Sequence, residues 1–346
     1  PTTYMWSDVQ KPTPQRQPVR TQRNDPKNYS DESPVQIGGK VAEHMVQVSY
    51  DVGHKKAWHW PVAAYMTSKA IATGTYLMLW CSIVLGFIDV GGSGARILEV
   101  IVLGGMILTG ILLCVDLERP ERFLSVLLRP QWRSWLARGA YLIAIFGGMV
   151  MLMLTVNLGS MLNVSLFLNI QRYLSQSTIF LLWGSISVPL AIGVAVYTAY
   201  LFRQAKGREM WQAKYLPLHM GIQALISGSS ICIIMATVFG MLEKSYEFSV
   251  NVLVFGLVIS GMIIGIEHVA NKSRSGPVRI ANQHLISGKY KYWFWIGVII
   301  IGHVFPMVAL LIDINFMGLL CGLSALCGLY SYEYGLVMSA QDVPNS

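Results

Sequence analysis

Five charged residues crowd into the seven positions Asp116-Leu-Glu-Arg-Pro-Glu-Arg122, directly after an apolar run from Ala95 to Val115. Pro120 stops a helix there. Carboxylates and guanidinium groups held where hydrocarbon gives way to water can pass protons and grip a polar headgroup. Two further charges fall inside apolar runs: Lys69, about eight residues into the first run and so roughly 12 Å deep at 1.5 Å per residue, and Glu333 in the last. An ionisable residue inside a membrane span is a functional hypothesis by default. The depths of Lys69 and Glu333 match to within a helical turn, so Lys69 is expected to be paired with Glu333 or with Asp116. Such a pair either handles protons or fixes helix register. Trp58, His59 and Tyr65 at the start of the first run, Asp116 and Arg119 after the second, and His219, Glu267 and His268 all fall toward one end of the bundle. Each alone also suits an interfacial anchor. Their clustering is what points to proton chemistry.

The elements that must position these groups are membrane helices. The 346 residues are 53% hydrophobic and 13% charged, with a mean hydropathy of +0.49. A soluble domain carries about 25% charge, so the chain reads as an all-α integral membrane protein. Eight apolar runs of spanning length lie at about 61–87, 95–115, 136–160, 176–202, 215–241, 248–269, 290–312 and 315–338. Residues 1–57 are polar, lack a signal-peptide pattern and read as an extended tail. The net charge of +8 sets orientation and lipid contact in such a chain, and nucleic acid is not expected as a partner. Basic residues gather in alternate loops: Arg119, Arg122, Arg129, Arg133 and Arg138; Arg203, Lys206, Arg208 and Lys214; Lys272, Arg274, Arg279, Lys289 and Lys291. The positive-inside rule places these loops and both termini in the cytoplasm.

Haem and metal are not expected. The five cysteines lie in apolar runs with no C-x-x-C pair. Haem b needs two axial ligands at matched depth, and among the histidines only His303 is deep within a run. His303 reads as a packed or proton-path residue.

Taken in order, the motifs resemble the NrfD/PsrC-like family, the membrane subunits of polysulfide-reductase-type complexes. Asp116-Leu-Glu-Arg-Pro-Glu-Arg122 is similar to that family's D-L-G-R-P-x-R, and Ser134-Trp135 and Gly139-Ala140 follow at the expected distance. Trp58-His-Trp-Pro-Val-Ala-Ala-Tyr65 with Ala72-Thr-Gly74, Gly261 to Glu267, and Tyr332 to Pro344 complete the pattern over about 58–346. The chain departs from it at Glu333, where an arginine is expected, at Lys69, and at Gly265 or a neighbour, where the sixth run lacks a proline.

The resemblance implies eight transmembrane helices arranged as two four-helix bundles, residues 58–203 and 204–346. It implies a cofactor-free subunit that exchanges electrons between an iron–sulfur partner subunit and the quinone pool. The partner docks on the basic face and links to a molybdopterin-type or other redox subunit. With the loop charges, that places the complex in the inner (cytoplasmic) membrane with its partner inside. The implied quinone/quinol site takes Asp116 and His59 as proton-handling groups, Tyr65 as a hydrogen-bond donor, and Trp58, Arg119 and Lys69 as contacts. Glu267, His303 and Glu333, with Lys69, would extend a proton path through the second bundle. Two other readings remain open: a non-catalytic membrane anchor of such a complex, and a proton-coupled transporter, which predicts internal repeats and broken helices.

Overall fold

A computed structural model describes residues 58–116, 126, 128–240, 242–270, 276–312 and 316–343. The tail 1–57, Arg119 and Arg122 with the rest of the charged motif beyond Asp116, and Lys272 and Arg274 lie outside the described residues. Those described are helical, with no strand among them. The order is α1 (Trp60–Val84), α2 (Ser93–Asp116), α3 (Trp135–Met161), the short α4 (Ser165–Leu174), α5 (Ser177–Gln204), a 3₁₀ turn (Glu209–Gln212), α6 (Leu216–Phe239), α7 (Glu243–Ile264), the short α8 (Gly276–Ile286), a wide π-type helix (Trp293–Val304) running into α9 (Phe305–Ala309), and α10 (Met317–Gln341). A second π segment, Gly265–Ala270, continues α7. Pro61 and Pro217 open α1 and α6, where a missing N–H costs nothing.

Among the described residues five helices, α2, α3, α5, α6 and α7, are long and apolar enough to cross a membrane. Their outward faces carry Val100, Ile107, Ile111, Met151, Leu152, Leu181, Ile186, Phe255 and Met262, all exposed. Water would not tolerate that surface and lipid does. The remaining runs coincide with α1, with α10 and with the 17-residue stretch Trp293–Ala309. The buried charges Lys69 and Glu333 fall on α1 and α10, two helices covered by protein along most of their length.

The centre is α1. It packs on α2 and α5 on one side and on α6 and α10 on the other. The approach to α6 is backbone to backbone: a Cβ at Gly74 would fall on the main chain of Ala224 and Gly228, and one at Gly228 on that of Gly74 and Thr75. Without a hydrophobic force between helices in lipid, this close packing of small residues holds them together. A second close approach, Gly302 against Gly328, sets the π-type helix on α10.

The start of α1 and the end of α10 are knitted together on one face. The Gln341 side chain accepts from the Trp58 N–H and donates to the Trp58 carbonyl, both at 2.9 Å. The Trp58 ring stacks with Phe202 and Trp211, centroids 5.1 and 4.7 Å away. Trp211 Nε1 donates to the Leu336 carbonyl at 3.2 Å, and the Arg208 guanidinium to the carbonyls of Ala340 and Val343. Lys289 pairs with Asp342 at 3.1 Å, and the Tyr290 hydroxyl donates to the same carboxylate at 2.6 Å. That carboxylate draws the Lys289 ammonium above its ordinary range. The loops after α5 and α8 thus close on the end of α10 and the start of α1.

Gly228→Leu is expected to cost well over the ~1–3 kcal/mol of ordinary overpacking, because main chain and not a flexible side chain must give. Gly104, with open space around its Cβ position, should accept Leu. Thermal melting in detergent with size-exclusion chromatography compares the two.

Candidate functional site

Two buried polar clusters meet around α1 and α10. The first lies beneath the start of α1. Asp116, the last residue of α2, is half-buried and faces the main chain and ring of His59, while His59 itself is exposed. One turn further in, Tyr65 is buried with its hydroxyl beside Thr198 and within the electrostatic reach of Asp116 and Glu333. Lys69 follows at i+4 on the same face. It is 2% exposed. Its ammonium donates to Thr198 Oγ1 at 2.5 Å and sits over the Tyr197 ring, 4.7 Å from the centroid. Desolvated cation–π contacts of this kind are worth about 2 kcal/mol.

Glu333 on α10 is equally buried. Lys69 and Glu333 interact electrostatically, yet no ion pair closes between them, and Glu333 Oε2 has no hydrogen-bond partner. The direct partner of Lys69 is therefore a threonine hydroxyl with an aromatic face, and Glu333 acts on it across a gap. Gly139 has its reason here: any side chain on it would strike the Tyr197 ring that covers the ammonium.

The second cluster is a chain of hydrogen bonds through α6, α7, α8, α10 and the π-type helix. His303 Nδ1 lies 2.8 Å from the Val298 carbonyl, which can only accept, so Nδ1 carries the hydrogen. In the neutral ring Nε2 then accepts, from Ser260 Oγ at 3.2 Å. Ser260 accepts in turn from His219 Nε2 at 2.9 Å, and His219 Nδ1 accepts from the Tyr332 hydroxyl at 3.1 Å. That oxygen faces His268 Nε2 at a long 3.4 Å, and His268 Nδ1 lies 2.8 Å from Asn282 Oδ1. With Asn282 Oδ1 as acceptor His268 Nδ1 carries the hydrogen, and His219 Nδ1 and His268 Nε2 both face the Tyr332 hydroxyl. Turning the Asn282 amide over would instead give every link one hydrogen with all three rings neutral. His268 lies in one π segment and His303 in the other. The wider turn at such segments re-aims a side chain, and they recur at functional sites.

The clusters touch. A cavity of about 20 Å³ is lined by Gln223, Ser260, His303 and Tyr332, room for one water. Gln223, on α6, also faces Glu333.

The positions expected from sequence fall as follows. His59, Tyr65, Asp116 and Lys69 come together. Glu333 and His303 connect through Gln223 and the small cavity. Glu267 is buried beside His268 in its π segment. Trp58 is committed to its ring stack, which holds the start of α1 in place. Arg119 lies outside the described residues. Sequence reasoning passed over Thr198, Tyr197, Gln223, Ser260 and Asn282. Thr198, Tyr197, Gln223 and Ser260 are uncharged polar side chains inside apolar runs and Asn282 lies in the short α8 between two of them, so none carried the charge that exposed Lys69. Among the described residues no group of three His, Cys, Asp or Glu could hold a metal ion.

The sequence profile of the polysulphide reductase NrfD family matches residues 49–345. The chain belongs to the NrfD family. It is 23% identical over 291 residues to protein NrfD of Escherichia coli strain K12, covering 76% of this chain and 87% of that one. It is 27% identical over 177 residues to a subunit of the selenate reductase of Mesobacillus selenatarsenatis, covering 47% of this chain and 40% of that one. Like other NrfD proteins it is a multi-pass membrane protein. Most of the residues described above, from His59 to Asp342, lie on motifs or spans inside the matched region.

Tyr332→Phe removes the one hydroxyl shared by His219 and His268. It should leave the fold intact while costing about 1–3 kcal/mol for the nitrogen left unpaired, read as a lowered melting temperature of the purified chain.

Proposed function

We propose that this chain is the quinone-reactive membrane subunit of a multi-subunit oxidoreductase. Eight helices would cross the inner membrane as two four-helix bundles, with both termini and the basic loops in the cytoplasm. The observation that carries the reading is the file that runs from the half-buried Asp116 to the buried Tyr65, Thr198, Lys69 and Glu333 under the His59 end of α1, in a family of polysulphide reductase type. A relative named as part of a selenate reductase agrees with a place in a redox complex.

A quinone needs apolar walls for its ring and hydrogen-bonding groups for two carbonyl oxygens. Leu112 and Leu113 on α2 supply apolar surface beside Asp116, and Asp116, His59 and Tyr65 supply the polar groups. Reduction of a quinone takes two electrons and two protons. The electrons would come from an iron–sulfur partner docked on the basic face, itself linked to a molybdopterin-type or other redox subunit. Asp116, at the water-facing end, would deliver or collect protons with His59, and Tyr65 would hold a carbonyl oxygen. Lys69 would keep Tyr65 and Thr198 aligned and feel each change of charge at the site. Glu333, Gln223, the small cavity and His303 offer the onward proton path, with Glu267 beside its His268 end.

The hydrogen-bonded histidine chain also favours a second reading, proton-coupled transport without redox chemistry. Affinity purification in mild detergent separates them: co-purifying iron–sulfur and molybdenum or tungsten subunits support the redox complex, while a lone chain that reconstitutes solute flux supports the transporter. Within an assembled complex, Asp116→Asn should lower quinone-linked turnover by about 100-fold or more. Loss of the assembled complex instead would make Asp116 structural.

A further inference from the structure

Glu99 is a buried carboxyl that neither cluster uses. It lies in the second turn of α2, 17 residues before Asp116, and so about 25 Å away along the same helix at 1.5 Å per residue. It is 3% exposed. Both of its oxygens face a single neutral donor, Asn157 Nδ2 of α3, at 2.8 and 2.9 Å. Asn157 is fully buried, and its own Oδ1 has no hydrogen-bond partner. The cation acting on Glu99 is Arg96, on the same helix, which donates to the Gly91 carbonyl. From α1 the titratable group acting on the site is Tyr76, and from α5 the fully buried Ser187 lies beside the Tyr76 hydroxyl. Gly91, held at φ +73°, leaves space that the Gln171 side chain of α4 fills, and Asn157 Oδ1 lies just behind it.

A carboxyl faced by a primary amide can exist in two matched forms. As carboxylate it accepts from the amide N–H. As acid it donates to the amide oxygen after the amide turns over, a change that leaves the shape of the pair the same. The unpartnered Oδ1 is the acceptor the second form requires. Left unused, it is an orphaned buried carbonyl oxygen, which is costly.

We infer that Glu99 and Asn157 form a proton-exchange site serving the membrane face opposite the Asp116 end, with the Asn157 amide turning over as the proton enters or leaves. The ligand is a proton delivered by water. Gln171 and Gly91 form the layer between the pair and that aqueous phase. The site does not depend on quinone chemistry, so it stands or falls separately from the function proposed above.

The test is infrared difference spectroscopy on the full chain, or its complex, in detergent, with a step from H₂O to D₂O. The expected result is a protonated-carboxyl C=O band that shifts promptly in D₂O, vanishes in Glu99→Gln and moves in Glu99→Asp. In Asn157→Leu the band should persist with much slower exchange. A Glu99 band that does not exchange until the protein unfolds would overturn the proposal, and so would the absence of such a band across the accessible pH range. If Glu99→Gln fails to fold, the Asp variant still assigns the band and the wild-type exchange still decides. Deuteration from one side of oriented vesicles gives a further check: exchange from the Asp116 side alone would also overturn it.

Discussion

An ammonium group inside a membrane protein must be given polar company by its neighbours, and Lys69 imposes that demand on most of the structure around it. Its own helix cannot face lipid at that depth, so α1 is surrounded by α2, α5, α6 and α10. Surrounding it closely requires small residues, hence Gly74 against Gly228. Covering the charge requires an aromatic face, hence Tyr197, and Tyr197 in turn requires the bare Gly139. Satisfying a donor requires Thr198, which also serves Tyr65. The opposite charge on α10 stands close enough to act and too far to close an ion pair. Such an arrangement keeps both groups able to change protonation. A closed pair would make either change expensive.

The histidine chain follows another constraint. Imidazoles in an apolar interior need a partner on each nitrogen, and a single tyrosine hydroxyl and a single serine hydroxyl here serve three rings. The two π segments bring His268 and His303 to the ends of that chain. It reaches the lysine cluster only through a water-sized cavity and Gln223, so the two networks are near neighbours with a gap that can be bridged or left open.

Much of this was legible in the sequence, because lipid leaves a coarse mark. Charges in apolar runs exposed Lys69 and Glu333, and the alternation of basic loops matched the face where Arg208, Lys289 and the end of α10 come together. Hydropathy located the five helices long and apolar enough to cross a membrane, since spanning length is fixed by bilayer thickness, and it missed the short α4 and α8 between the runs. Polar but uncharged partners were not legible. Thr198, Ser260 and Gln223 look like the hydroxyl and amide residues scattered through any membrane helix, and only three-dimensional packing shows which of them meet. Glu99 escaped for a different reason: it stands near the start of a run, where a carboxylate ordinarily reads as an interfacial anchor. For Trp58 the family's motif pointed to the quinone site, but nothing in the sequence showed that Phe202 and Trp211, from distant segments, stack on its ring.

The clamp between Gln341 and Trp58 joins α1 to α10. In the chain α1 is made before α10, so during synthesis Lys69 waits in the membrane through six further apolar runs before Glu333 arrives. In that interval only Thr198 and Tyr197, themselves more than a hundred residues later, can relieve it. The clamp on Trp58 can close only after α10 has been made, so until then the start of α1 is held by its ring stack alone.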